Sequence, residues 1–134
     1  MPGSVTLRFL SVFGQAEVDR LREKMGSSFE LIGVRAAQVH QLVSVADELI
    51  CNILEHSKAS WVEVGMAMNG LDVRMVLRDD GEAFDTAESI QDSSLERSFD
   101  DRHLGHYMVR QMASRVLYGR EGGVNRLELE IALK

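Results

Sequence analysis

The sequence predicts an α/β two-layer sandwich: a mixed, mostly antiparallel sheet covered by helices on one face. Three observations carry this expectation. Five short segments alternate apolar and polar residues with period two, so each offers one face to a core. Four of them fall into two pairs joined by glycine-containing turns. Longer segments repeat apolar residues at helical spacing, and a sheet with one buried face needs such helices as its cover.

The elements follow in chain order. Val5, Leu7 and Phe9 alternate near the start and mark a first strand. Gln15 to Met25 carries Ala16, Val18, Leu21 and Met25 at helical spacing. Val34 to His56 reads as a long helix with Leu42, Val45, Leu49 and Ile53 on one stripe. Trp61–Met68 and Leu71–Arg78 flank Asn69-Gly70, a strong hairpin signal because both turn residues accept positive φ. A two-residue loop there sets Met68 opposite Leu71, Met66 opposite Val73, Val64 opposite Met75 and Val62 opposite Leu77. All eight are apolar and share one face, a match that a one-residue slip would destroy. Glu63, Gly65, Asp72, Arg74 and Arg78 take the other face.

Thr86–Arg102 is polar and acidic and lacks clean periodicity; loops this long inside a compact domain are often lids. Leu104–Ala113 places Leu104, Met108 and Met112 at helical spacing. Val116–Arg120 and the alternating Leu127, Leu129, Ile131 and Leu133 flank Gly122-Gly123 as a second hairpin. The order is strand, helix, helix, strand, strand, lid, helix, strand, strand.

Composition narrows the function classes. A chain of 134 residues, at about 150 per domain, is expected to be one domain, residues 1–134. The net charge of −6 disfavours nucleic acid, whose phosphates demand a basic face. The lone Cys51 excludes an internal disulfide framework and a cysteine-rich zinc module. No long apolar run and no signal-peptide pattern occurs, so a cytoplasmic protein without a membrane span is expected.

Several residues are candidates for chemistry. Glu48 and Asn52 are four apart on the long helix, hence one above the other beside the apolar stripe. Asp79 shares the parity of Val73, Met75 and Leu77, so it points into the gap between helices and sheet. A carboxylate there needs a donor, from the protein or from a ligand. Asp80 points the other way and is expected to be solvated. Gly81 permits a close backbone approach. His103 and His106 have a spacing that hints weakly at zinc, without a second pair of ligands. His56 reads as a helix-end or packed histidine. Met66, Met68, Met75 and Met108 read as core filling. Ser57, Ser60 and Cys51 lack the His/Asp pattern of activated nucleophiles.

Taken together these segments resemble the GHKL (Bergerat-fold) ATPase superfamily, and within it the anti-sigma factor serine kinase family (RsbW-like). ADELICNILEHS (Ala46–Ser57) is similar to the N box, with Glu48 and Asn52 in its E-x-x-x-N positions. LRDDGEAFD (Leu77–Asp85) is similar to the G1 box. LGHYMVRQMASRVLY (Leu104–Tyr118) is similar to the G2 region and its following helix and strand. GGVNRLELEIALK is similar to the family's closing hairpin strand.

The resemblance implies ATP and Mg²⁺ as cofactors. By it, Asn52 holds Mg²⁺, Glu48 is the catalytic carboxylate and Asp79 accepts from the adenine amino group. Gly81, Ala83, His103, Leu104 and Gly105 line the nucleotide, with Gly105 at a helix start offering N–H groups to phosphate. Thr86–Arg102 becomes the ATP lid. Asn125 stands where the family often has a base-contacting Thr, and Arg20 is a partner contact on the first helix. Ala83 and His103 replace family glycines. A Cβ held in the left-handed region costs roughly 1–2 kcal/mol, so weakened ATP binding is expected. His103, titrating near neutrality, is expected to offset part of that loss when protonated.

The function implied is an ATP-dependent serine protein kinase and anti-sigma factor of a bacterial partner-switching system. It would phosphorylate a STAS-type anti-anti-sigma antagonist and sequester a sigma factor, with a homodimer left open. The alternative is a non-catalytic or nucleotide-gated binding module that sequesters a regulatory protein.

Overall fold

The computed structural model describes residues 3–10, 14–88 and 109–133. Its elements are β1 (Ser4–Leu10), α1 (Gly14–Leu31), α2 (Ala36–His56), β2 (Trp61–Asn69), β3 (Asp72–Asp79), β4 (Ala113–Glu121) and β5 (Val124–Ala132). The five strands form one sheet in the order β1-β2-β3-β5-β4. All four pairings are antiparallel, so the described sheet has no parallel pair. The two-layer α/β class is the one expected. Among the described residues no helix is long and apolar enough to cross a membrane.

Period-two burial fixes which face the helices cover. Val62, Val64 and Met66 on β2, Val73, Met75 and Leu77 on β3, and Leu127, Leu129 and Ile131 on β5 are buried. They meet the α2 stripe of Leu42, Val45, Leu49 and Ile53, all buried as its spacing predicts. Met66 and Met75 are core residues and Met68 packs against the core; Met108 lies outside the described residues.

The first hairpin departs from expectation by two positions. Met68 pairs with Val73, Met66 with Met75, Val64 with Leu77 and Val62 with Asp79. The loop residues are therefore Gly70 and Leu71, and of these only Gly70 has positive φ, 66°. Glycine at the first central position is the type II′ preference, not the Asn-Gly type I′ one. A two-position shift conserves parity, so the same residues still face the core. Leu71 becomes the exposed tip, 80% accessible, and its carbonyl accepts from Leu133 N–H at 3.2 Å.

The first helix runs further than its expected end at Met25. Met25, Phe29 and Ile32 extend the buried stripe of Val18 and Leu21 past Gly26-Ser27-Ser28. The helix ends in a Schellman motif at Gly33, φ 110°. Val34 N–H donates to Phe29 O at 2.9 Å and Gly33 N–H to Glu30 O at 3.0 Å, while buried Val34 and Phe29 supply its apolar contact. Arg22 then clamps Asp47 of α2 bidentately at 2.8 and 3.1 Å. Residues 86–88 and 109–112 are helical; the rest of the expected lid and of the expected helix Leu104–Ala113 lies outside the described residues.

Candidate functional site

Antiparallel register gathers one end of the sheet into a single inward row. Val62 pairs with Asp79, Asp79 with Asn125, and Asn125 with Arg120. The C-terminal turn of α2 closes over this row. Asp79 is buried at 2% accessibility, on the helix side as parity predicts. Its Oδ1 takes three donors: Gly81 N–H at 2.9 Å, Asn125 Nδ2 at 3.0 Å and the Ser57 hydroxyl at 3.0 Å. The Ser57 hydroxyl also lies 2.8 Å from Ile53 O, so its one proton serves either acceptor. Among the described residues no hydrogen bond reaches Asp79 Oδ2. The site thus holds a buried carboxylate with one oxygen saturated and the other without a bond among the described residues.

Packing inside the protein by itself requires glycine at position 81. A Cβ there would lie 2.3 Å from Ser57 O and 2.8 Å from Ser57 C. The Ser57 backbone occupies the space together with its hydroxyl oxygen, 2.5 Å away, and Glu82 N–H donates to that same Ser57 carbonyl at 2.7 Å. The chain after β3 is laid directly on the end of α2.

Asp80 is not merely solvated. It accepts from Ser60 N–H at 2.8 Å, from Trp61 N–H at 3.1 Å and from the Ser60 hydroxyl. Partial burial pushes its pKa up, but the bonds from Ser60 and Trp61 outweigh that and hold the carboxyl below its ordinary value. Asp80 bolts the start of β2 to the end of β3, while its neighbour Asp79 faces the site.

Sequence reasoning missed three members of the site: Ser57, Tyr118 and Arg120. Tyr118 OH donates to Asn125 Oδ1 at 2.5 Å, and Arg120 Nη1 donates to the same oxygen at 2.8 Å and to Gly81 O at 2.9 Å. An arginine at inward parity on β4 was the available signal. His56 closes the helix end by stacking on Phe84, with ring centroids 4.7 Å apart and planes at 18°.

A family model described as a histidine kinase-like ATPase domain matches residues 14–131. The chain belongs to the histidine kinase-like ATPase domain family. Solved structures show the same fold. A chain of the SiaB–SiaC complex from Pseudomonas aeruginosa matches with TM-score 0.59 at 11% identity, over 95% of this chain and 89% of that one. The blue-light activated histidine kinase of Erythrobacter litoralis matches with TM-score 0.54 at 17% identity, over 88% of this chain and 41% of that one. The Acinetobacter baumannii histidine kinase AdeS matches with TM-score 0.52 at 14% identity, over 97% and 68%. No curated protein matches the chain significantly.

Within this ATPase domain, Glu48 is half-buried on α2 and Asn52, one turn on, is buried at 6% accessibility. Asn52 Nδ2 is fully enclosed and has no hydrogen-bond partner among the described residues. An orphaned buried donor of this kind costs about 1–3 kcal/mol, and such groups call for a functional explanation. With the nitrogen turned inward, the remaining polar atom is the carbonyl Oδ1, an oxygen ligand of the type Mg²⁺ prefers. Mg²⁺ takes few protein ligands, so one amide oxygen together with phosphate oxygens fits it. Among the described residues no three His, Cys, Asp or Glu side chains cluster as a metal site.

Ala83 is exposed, and among described non-glycine residues only Lys58 has positive φ. Ala83 therefore pays no left-handed penalty, and the expected strain at this glycine replacement is absent. His103, Leu104, Gly105 and His106 lie outside the described residues.

Proposed function

We propose that the chain is an ATP-dependent serine protein kinase and anti-sigma factor that acts on a STAS-type anti-anti-sigma partner in the cytoplasm. The observation that carries the nucleotide half of this reading is Asp79: buried, fixed through Oδ1, with Oδ2 left to accept from an amino group such as that of adenine. The ATPase family supplies the ATP-binding fold; the matched chain of a two-protein complex supports a protein partner.

In this reading Asn52 Oδ1 binds Mg²⁺, which when present neutralises phosphate charge. Glu48 orients the incoming serine hydroxyl and accepts its proton. The serine oxygen forms a bond to the γ-phosphorus as the bond to the β-bridging oxygen breaks, and ADP leaves. Positioning and charge neutralisation supply most of the acceleration, and the general base contributes typically about 10²–10⁴-fold.

The test is transfer of labelled γ-phosphate to a STAS-type protein. Wild type should label a serine, and Glu48→Gln should reduce the rate at least about a hundredfold while nucleotide binding persists. Equal rates in the two proteins would remove Glu48 from the mechanism. Nucleotide binding with no transfer to any such partner would leave a nucleotide-gated binding module.

A further inference from the structure

The Asn125 side chain has all four of its hydrogen bonds filled. Its Nδ2 hydrogens go to Asp79 Oδ1 at 3.0 Å and to Glu82 O at 2.8 Å. Its Oδ1 accepts from Tyr118 OH at 2.5 Å and from Arg120 Nη1 at 2.8 Å. An amide offers two donors and two acceptor sites, so this one is saturated and its orientation fixed. No donor remains for direct contact with a base, the part the family resemblance assigns to this position.

We propose that Asn125 is instead a positioning residue: locked by Tyr118 and Arg120, it aims the Asp79 carboxylate at a ligand amino group. Tyr118 and Arg120 thereby set base affinity from a distance. The inference rests on the ATP reading above.

The physics of the carboxylate requires such a device. The last torsion of an Asp side chain has a broad, shallow profile, so burial alone does not fix where Oδ2 points. Of the three donors on Oδ1, Gly81 N–H is two residues away in sequence and Ser57 has Ile53 O as an alternative acceptor. Asn125 Nδ2 is the donor from the neighbouring strand, and it is itself held from a third strand. Arg120 binds Gly81 O with its second Nη1 hydrogen, so one guanidinium fixes both the amide and the loop that carries it.

A merely structural network would tie the β4–β5 hairpin to the loop after β3 without regard to the ligand. The two roles separate with a purine riboside triphosphate that lacks the 6-amino group. Binding of ATP and of this analogue is measured calorimetrically in wild type, Tyr118→Phe, Arg120→Ala and Asn125→Ala. Tyr118→Phe keeps the ring and removes only the hydroxyl, so it reports even if the other variants fold poorly.

Wild type should prefer ATP. Each variant should lose about three- to tenfold in ATP affinity, the range of one modest hydrogen bond, and retain its affinity for the analogue within about twofold. Equal losses for both nucleotides would show that the network is structural only and overturn the positioning role. Unchanged ATP affinity in all three variants would overturn it as well. A wild type that binds neither nucleotide would overturn the ATP reading itself and the positioning role with it.

Discussion

Two adjacent carboxylates at the end of β3 divide a structural duty from a site duty. Asp79 Oδ1 collects donors from the C-cap of α2, from β5 and from the loop after β3, while Asp80 ties Ser60 and Trp61 at the start of β2. Asp79→Asn should weaken ATP and ADP alike, by about 1.5–3 kcal/mol for a lost charge-assisted bond, because the two nucleotides share the base. Asp80→Asn should leave nucleotide affinity unchanged and lower unfolding stability by about 1 kcal/mol, read by urea denaturation. The reverse pattern would mean the strand parity assigns the wrong neighbour to the site. The inward parity of Asp79 was legible in the alternation of Val73, Met75 and Leu77. The role of Asp80 was not, because its partners Ser60 and Trp61 become neighbours only through the register. Gly81→Ala tests the other close contact. Its Cβ would meet the Ser57 backbone at 2.3 Å, and overpacking of this kind costs typically about 1–3 kcal/mol. The variant should lower both the unfolding midpoint and ATP affinity; an unchanged midpoint would show that the α2 end yields easily.

At the scale of elements, periodicity told strand from helix but not where each one stops. Gly26-Ser27-Ser28 resembles a break, yet Gly26 lies where an added Cβ would meet Val39 and Val43 of α2 at 3.7 and 4.0 Å. Packing against α2 overrides the local preference, and the helix continues to its Schellman stop. The hairpin register failed for a related reason: both registers keep the same face inward, so hydrophobic pattern alone could not choose. The outward sheet face makes its own prediction. Glu128 is buried beneath Arg74 and Arg126, at 2.8 and 3.0 Å. The Arg74 bond, helped by Arg126, holds the Glu128 carboxyl below its ordinary value against the opposing pull of burial. A depressed folded pKa gives stability that is present above the unfolded value and lost as pH falls through the folded one. Both arginines are nearly half exposed, so the contribution is about 1 kcal/mol. Glu128→Gln should therefore be less stable than wild type at pH 7, and the gap should shrink progressively below about pH 4.5. A gap independent of pH would assign the effect to packing instead.

At the scale of the molecule, the site is a consequence of antiparallel order. β3 ends, β5 begins and β4 ends at the same end of the sheet, so residue 79 shares a row with residues 120 and 125 although far from them in the chain. The paired motif Glu48/Asn52 was legible because one helix carries both; the row was not, since it exists only once four strands are in register. A ligand that binds this row and α2 together couples to unfolding of the whole domain. Binding to the native state alone stabilises it by about 2.7 kcal/mol at a hundred times Kd. Mg²⁺ with ATP should accordingly raise the unfolding midpoint more than ATP with EDTA. Asn52→Ala removes the amide oxygen proposed to hold the metal, so in that variant the two conditions should give the same midpoint. Glu48→Gln should keep the full Mg²⁺-dependent increment, because in the proposed mechanism its carboxylate acts on the serine hydroxyl and not on the metal. Thermal unfolding of the three proteins under both conditions makes the comparison. An increment that survives in Asn52→Ala would take the metal away from Asn52, and one that vanishes in Glu48→Gln would transfer it to Glu48.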